Sequence, residues 1–310
     1  MSLASHRRLI LLVSLSAIPV PASSQTVERI VYASVLDRAG RPVSDVDAKD
    51  LTVRENNIDH SVLRISRATE PIDIAVLVDT SHDAEAFISD FRRGLVDFVR
   101  TMNGRHEITL IDFGQRPSIL VDYTRDTPRL EAGVARIFVR RGSGAYLMDS
   151  IIETSLRVRI RERPRREMIV ITSEGGELSD RNSADVLAEV QRSGITLDAF
   201  VVVGTQQGVG SASEARVPEW NSSPAAPDQP AYERAVALTE AIKRTGGRRE
   251  DLVTAGALGA KLRDLAARLN NQYRVIYEGP PRLTAPASIE IVTKRPDLRV
   301  RVMGIPQNQP

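Results

Sequence analysis

Apolar residues form two kinds of pattern along the chain. Up to about residue 66, short β-rich runs separated by turn residues predict strands, as in VERIVYASVLD, LTVRE and HSVLRIS. From about residue 72, continuous apolar runs such as IDIAVLVD, EMIVITSEG and ITLDAFVVVG predict strands that are buried on both faces of a sheet. The change of pattern indicates a β-rich segment followed by a larger domain.

Helical patterns alternate with the buried strands. Phe87, Phe91, Leu95, Phe98 and Met102 recur at spacings of three and four residues, which places them on one stripe of a helix. Further helices are predicted for RLEAGVARIF, LMDSIIETSLRV, SADVLAEVQRSG, AYERAVALTEAIKRTGG and GAKLRDLAARLNN. This alternation predicts an α/β fold with a doubly wound, mostly parallel sheet. ASIEIVT and LRVRVMG alternate like antiparallel strands, and we expect them to join the N-terminal strands in a small β module.

The first 24 residues have the pattern of an export signal. His6, Arg7 and Arg8 precede the apolar stretch LILLVSLSAIPV, and PASSQ offers a cleavage point after Ser24. The apolar stretch is shorter than the ~20 residues of a membrane-crossing helix. No later segment is long and apolar enough to span a bilayer. We therefore expect signal cleavage and a periplasmic or secreted protein with no transmembrane segment.

The patterns together predict the division of the chain. It comprises a signal peptide (1–24), an N-terminal β-rich segment (25–68), an α/β domain (69–280) with a loop insertion (205–255), and C-terminal strands with a tail (281–310).

Composition narrows the range of functions. The chain has 310 residues, 42% hydrophobic and 26% charged, as is ordinary for a globular protein. Its net charge of +2 implies no strong field toward nucleic acid. It has no cysteine, which excludes disulfides, thiolate metal sites and cysteine nucleophiles. The arginine-rich segment at 157–167 is interpreted as a solvated helix end and turn rather than a patch for acidic polymers.

Polar clusters follow two of the predicted strands. Asp79, Ser81 and Asp83 come after the first buried strand, and Ser173 and Glu174 come after the fourth. In open α/β sheets, ligands bind outside the carboxyl ends of the strands. We therefore expect these side chains to meet at one edge of the sheet.

These clusters resemble the metal-ion-dependent adhesion site of von Willebrand factor type A domains, which begins with Asp-x-Ser-x-Ser after the first strand. The order of segments resembles the bacterial VWFA-related proteins, with a signal peptide and a β-rich lead-in before the type A domain. The resemblance covers nearly all of the mature chain and implies a Rossmann-like type A fold that binds proteins through an ion. The matching segments are 35–56, 74–81, 147–150, 169–177, 245–247 and 270–279.

The site departs from the family pattern at three positions. Asp83 replaces the second serine, Ala145 stands where the family has a threonine, and Glu174 stands where an aspartate is expected. Two alternatives stay open. In the first, Asp79, Ser81, Asp83 and Glu174 bind a divalent cation (Mg²⁺, Mn²⁺ or Ca²⁺). In the second, the site is degenerate and held by hydrogen bonds, with Ser81 or Asp83 capping the next helix.

The predicted function is that of an exported, non-catalytic protein-interaction module of the adhesion type. We expect a protein partner at the loop-rich edge, with His82, Ala145 and Trp220 on the partner-binding face. The chain has no nucleophile elbow, zinc-binding histidine spacing or phosphate loop, and so no enzyme is predicted. The alternative is a structural or assembly protein of the cell envelope that binds no metal. It would use the loop at 205–230 or an edge strand.

Overall fold

The structure is a computed structural model that describes residues 27–102, 104–140, 142–203, 229–281, 286 and 288–304. Within these ranges, the regular structure consists of two six-stranded sheets, six α-helices and short 3-10 turns. The predicted signal peptide, Trp220 and most of the loop predicted at 205–230 lie outside the described residues.

The α/β domain is built on a mixed sheet of six strands. They are β4 (Asp73–Val78), β5 (Glu107–Asp112), β6 (Ser118–Thr124), β7 (Arg166–Ser173), β8 (Thr196–Val202) and β9 (Arg249–Leu252). Their order is β6-β5-β4-β7-β8-β9, and neighbours run parallel except that β6 is antiparallel to β5. The predicted α/β fold is confirmed, with a mixed sheet because of this edge strand.

Helices cover both faces of this sheet. One face carries α1 (Ile88–Met102), α2 (Thr127–Val134) and α6 (Leu258–Asn270), and the other carries α3 (Leu147–Ile160), α4 (Ser183–Ser193) and α5 (Gln229–Thr245). Successive side chains of a strand point to opposite faces. Val76 of β4 therefore contributes to the first core and Leu77 to the second.

The sequence pattern determines where individual helices pack and end. Phe91, Leu95 and Phe98 on the predicted stripe of α1 are fully buried in the first core. Each such side chain contributes about 1.5–3 kcal/mol relative to leaving it exposed. Helix α4 ends at Gly194, whose φ of 61° is the left-handed conformation that glycine adopts most readily.

A second, antiparallel sheet contains the strands from both ends of the described chain. Its strands are β1 (Val27–Leu36), β2 (Leu51–Glu55), β3 (Ile58–Arg67), β10 (Tyr273–Gly279), β11 (Ile289–Thr293) and β12 (Arg299–Met303). Their order is β11-β2-β3-β10-β1-β12. The sequence pattern assigns β10 to the end of the α/β domain, whereas in the structure β10 pairs with β1 and β3.

The region predicted as an insertion contains regular structure in its second half. Helix α5 forms as its sequence pattern predicts, and β9 extends the mixed sheet by pairing parallel to β8. The described part of the chain contains no helix with the length and apolar character required to cross a membrane.

Candidate functional site

The carboxyl ends of β4 and β7 form one edge of the mixed sheet, which we call the β4–β7 rim (residues 79–83 and 173–177). The two strands are parallel neighbours, and the backbone N–H of Asp79 donates to the carbonyl of Ile171 at 2.9 Å. One strand further along, the N–H of Glu174 donates to the carbonyl of Val202 at 3.0 Å. Both acidic residues thus lie at the same edge of the sheet, each where its own strand ends.

Asp79 is held inside the rim rather than exposed on it. Its side chain is buried, with 1% of the residue exposed. Oδ1 accepts a hydrogen bond from the N–H of Ser81 at 2.9 Å, and Oδ2 accepts one from the Thr172 hydroxyl at 2.6 Å. Both carboxylate oxygens are therefore engaged by the protein itself.

A buried arginine from helix α5 completes this network. Nη2 of Arg234 donates to the Thr172 hydroxyl and, at 2.9 Å, to the carbonyl of Ser173. Nη1 donates to the carbonyl of Gly176 at 2.9 Å, and Nη2 lies 3.9 Å from Oδ2 of Asp79. Since a buried charge is stable only when it is paired and hydrogen-bonded, Arg234 acts as the counter-charge of Asp79.

Arg234 is absent from the residues that the sequence pattern singles out. The signal that could have revealed it is its position on the buried stripe of α5, four residues before Leu238 and in line with Ala241 and Ile242. A charged residue on an apolar stripe must find a buried partner. That partner, Asp79, follows a distant strand, and only the tertiary structure brings the two together.

The other residues after β4 do not cap a helix as the second alternative supposed. Ser81 precedes a 3-10 turn (His82–Phe87), but its side chain makes no capping hydrogen bond. Its Oγ is buried and has no hydrogen-bond partner among the described residues. Asp83 is exposed, and its Oδ2 accepts from the N–H of Gly176 at 3.2 Å. Asp83 therefore connects the two halves of the rim instead of starting a helix.

The residues assigned to partner binding differ in accessibility. His82 is exposed, and its Nδ1 lies 3.2 Å from a carboxylate oxygen of Glu85. Glu174, which the sequence assigns to the metal site, is also exposed. Ala145 is 1% exposed and packs in the second core, because its backbone pairs with the segment at Glu177 and turns the side chain inward. The Ala145 side chain is therefore inaccessible to a partner.

Glu177 is a second buried carboxylate of the rim. It is 2% exposed, and the N–H of Ser179 donates to its Oε1 at 3.1 Å. Burial raises the pKa of Glu177 above its usual range, an effect that the backbone bond and the positive charge of Arg234 oppose. Arg234 therefore acts on both buried carboxylates at this edge.

The described residues do not fit a divalent cation. They contain no cluster of three or more histidines and carboxylates arranged to hold a metal ion. A hard cation such as Mg²⁺ requires about six oxygen ligands. The Asp79 oxygens already accept hydrogen bonds, Ala145 provides no side-chain oxygen, and the guanidinium of Arg234 3.9 Å from Asp79 repels a cation.

The loop after β4 is fixed by contacts with the loop after β5. The Thr80 hydroxyl accepts from the N–H of Gly114 at 3.1 Å and donates to Asp112 at 3.3 Å. Arg140 donates from its guanidinium to the same Asp112 oxygen at 3.1 Å and from its backbone N–H to the Thr80 carbonyl at 2.9 Å.

Beside this loop lies an open pocket of about 540 Å³, whose lining includes Arg116, Arg140, Ser143, Tyr146 and Leu178.

The arginine-rich segment at 157–167 lies at the opposite, amino-terminal end of β4. Arg161 binds Asp73 and Glu107, and Arg165 donates to the side-chain oxygen of Gln272 at 2.7 Å. These arginines make internal contacts rather than a patch for acidic polymers. Arg165 also departs from the predicted solvated helix end, since it is 5% exposed and donates to the Leu269 carbonyl as well as to Gln272.

Comparisons with known proteins give likenesses of fold only. No family model matches the chain, and no curated protein matches it. Similar solved structures include a von Willebrand factor type A protein from Catenulispora acidiphila, with 10% identity and a TM-score of 0.48 over 90% of this chain and 73% of that one. The predicted resemblance to type A domains is confirmed to this extent.

Two further similar structures bear related names. The vWF domain of the type V pili tip protein Mfa5 from Porphyromonas gingivalis has 11% identity and a TM-score of 0.47 over 66% of this chain and 96% of that one. Proximal thread matrix protein 1 from the mussel byssus, with a zinc-occupied MIDAS motif, has 12% identity and a TM-score of 0.47 over 70% of this chain and 49% of that one. All three TM-scores are below 0.5, and so these likenesses carry no conclusion about the function of this chain.

Proposed function

We propose that the protein is an exported, non-catalytic protein-interaction module whose partner binds at the β4–β7 rim. The observation that carries this proposal is the fixed backbone of the rim. The bonds of Arg234 to the Ser173 and Gly176 carbonyls, and that of Asp83 to the Gly176 N–H, hold both halves of the rim in one conformation. A surface ordered in advance loses less entropy when a partner binds.

Apolar side chains are exposed at the same end of the domain. Leu178 directly follows the rim and is 53% exposed, and Tyr232, in the first turn of α5, is 58% exposed. Phe138 lies close to Arg140, which bonds Thr80, and it is 60% exposed. Exposed aromatic and aliphatic side chains around a fixed polar centre, with a pocket beside them, are typical of a protein-binding surface.

The arrangement of hydroxyls and carboxylates supports the absence of catalysis. Among the described residues, the hydroxyls of Ser81 and Ser173 have no hydrogen-bonded base that could activate them. Asp79 binds a threonine hydroxyl and a backbone N–H instead. We therefore assign the rim polar groups to maintaining its shape, and a broad hydrolase screen of the purified protein should detect no turnover.

Export is part of the proposal and rests on the sequence of the first 24 residues. Expression of the full chain in a bacterial host, followed by mass spectrometry of the product, tests it. We expect a product that begins at Gln25 and is recovered outside the cytoplasm. An uncleaved product in the cytoplasm would contradict export without affecting the proposed binding surface.

Site-specific photo-crosslinking in cells tests the binding surface. A photoreactive amino acid at Leu178 samples the rim, and one at Ile160 serves as a matched control, since Ile160 is 81% exposed at the opposite end of the domain. We expect a discrete protein adduct from position 178 and none from 160. Equal adducts from both would contradict a specific rim surface. Adducts only from a third position, Arg299 on the edge strand β12, would instead favour the assembly alternative in its edge-strand form.

A further inference from the structure

The cation beside Asp79 belongs to the protein. An ionised carboxylate that is 1% exposed requires a nearby positive charge, because burial removes its hydration. The guanidinium of Arg234, with 6% of its side chain exposed, is 3.9 Å away and shares the Thr172 hydroxyl with Asp79.

The hydrogen bonds of Arg234 also hold oxygen atoms of the rim together, as a bound metal ion would. They gather the Thr172 hydroxyl and the carbonyls of Ser173 and Gly176 around one positive centre. Oxygens from the end of β7 and from the loop after it are thereby tied to the carboxylate at the end of β4. A guanidinium is suited to this because its donors point in several fixed directions.

The Ser81 hydroxyl is among the rim oxygens that this arrangement leaves unsatisfied. Ser81 is fully buried, and its Oγ has no hydrogen-bond partner among the described residues. A buried hydroxyl without a partner is costly. Its backbone N–H binds Asp79, so that the unpaired hydroxyl lies next to the carboxylate that the arginine neutralises.

We propose that Arg234 takes the place of a divalent metal ion at the β4–β7 rim. The rim then keeps its conformation with no metal, and removal of the guanidinium leaves Asp79, Ser81 and Thr172 as oxygen ligands able to bind a divalent cation. Because the guanidinium is buried, it offers no open position to an acidic side chain of a partner. Recognition at this rim therefore proceeds through other contacts than those of a metal-bridged carboxylate.

Thermal melting of the purified protein with Mn²⁺ or EDTA tests the proposal. The wild type should melt at the same temperature in both. Arg234→Ser should melt roughly 6 °C or more below the wild type in EDTA, since it leaves a buried charge unpaired. Mn²⁺ should recover part of that loss, and it should have no effect on the matched Arg234→Ser/Asp79→Asn double variant.

Three results would overturn the proposal. The first is a wild type that Mn²⁺ stabilises and that loses this response in Asp79→Asn. The second is an Arg234→Ser variant as stable as the wild type. The third is a destabilised Arg234→Ser variant that does not respond to Mn²⁺, because the guanidinium would then be only a structural clamp.

Arg234→Lys keeps the test decisive if Arg234→Ser fails to fold. Lysine retains the positive charge but not the fork of donors. We expect this variant to fold and to melt at one temperature in EDTA and in Mn²⁺, several degrees below the wild type. A lysine variant that requires Mn²⁺ to fold would contradict an internal cation at this position.

Discussion

The Thr172 hydroxyl donates to Oδ2 of Asp79 at 2.6 Å and thereby joins the ends of two neighbouring strands. The hydroxyl oxygen of Thr172 in turn accepts a hydrogen bond from Nη2 of Arg234. Thr172 is therefore the neutral link between a buried anion and a buried cation, and each of the three groups depends on the other two.

Replacement of Thr172 by valine removes this link while it preserves the shape of the side chain. We expect Thr172→Val to lower the free energy of unfolding by about 1–3 kcal/mol, because buried donors and acceptors lose their partner. Urea unfolding followed by circular dichroism measures the loss. Thr172→Ser retains the hydroxyl and should lose less. Equal stability of Thr172→Val and the wild type would show that the link contributes nothing.

Gly114 is required by the close approach of the Thr80 loop. A Cβ at position 114 would lie 2.4 Å from the carbonyl carbon of Thr80, closer than van der Waals contact allows. We expect Gly114→Ala to cost roughly 1–3 kcal/mol through displacement of this loop. Gly176→Ala is the matched control at the rim, since nothing lies within 4 Å of its added Cβ. Equal denaturation midpoints for Gly114→Ala and Gly176→Ala would show that the close approach of Thr80 does not require glycine at position 114.

His106 makes stability depend on pH. Its Nδ1 accepts from the N–H of Ile72 at 3.1 Å, and its Nε2 pairs with Oδ1 of Asn270 at 3.0 Å. Burial lowers the pKa of His106 from 6.5 to about 4. In the unfolded chain the imidazole gains a proton as the pH falls below its ordinary pKa, whereas in the folded protein it stays neutral. The stability that His106 contributes is thus fully present above its pKa in the unfolded chain. It is lost as the pH falls toward its pKa in the folded protein.

We expect the free energy of unfolding of the wild type to fall by about 2 kcal/mol through this group when the pH is lowered from about 7 to about 5. His106→Asn removes the titrating group, and so its stability should change less over this interval, whatever its absolute stability. Urea unfolding of both proteins at the two pH values gives the difference. Parallel pH profiles for the wild type and His106→Asn would refute this role of His106.

Glu167 gives a dependence of the opposite sign. It is 1% exposed beside Asp198, and burial together with this neighbouring carboxylate raises the pKa of Glu167 well above its usual range. As the pH rises, Glu167 ionises in the unfolded chain before it ionises in the folded protein. Its stabilising contribution is therefore fully present below its pKa in the unfolded chain and is lost as the pH rises toward its pKa in the folded protein.

Glutamine at position 167 cannot ionise and can still donate a hydrogen bond to Asp198. We expect the free energy of unfolding of Glu167→Gln, relative to that of the wild type, to rise by ~1 kcal/mol or more between about pH 5 and about pH 8. Thermal melts across this range measure the gain. If the stability of Glu167→Gln instead decreased relative to the wild type as the pH rises, the ionised form of Glu167 would be the one that stabilises the native state.

The sequence predicts those parts of the fold in which local pattern and burial coincide. The run before Asp79 is uniformly apolar because β4 is covered on both faces, and the α1 stripe containing Phe98 is regular because one side of that helix packs on the sheet. The helix end at Gly194 follows from a backbone conformation that few other residues adopt.

Contacts between distant segments could not be predicted in this way. The pattern of β10 identifies a strand but not which sheet it joins, because both sheets accept an apolar strand of that length. The position of Ala145 along the chain is correct for the family motif, but the motif does not specify that its side chain turns into the core. Arg234 pairs with Asp79 only because α5 packs beside the end of β7.

A crystal structure of the wild-type protein grown with Mn²⁺ tests the central claim most directly, through an anomalous-difference map of the β4–β7 rim. We predict guanidinium density for Arg234 about 4 Å from the Asp79 carboxylate, bonded to Thr172, and no manganese peak at this site. A manganese peak at a metal–oxygen bonding distance of ~2 Å from Asp79, with Arg234 displaced from the rim, would contradict it.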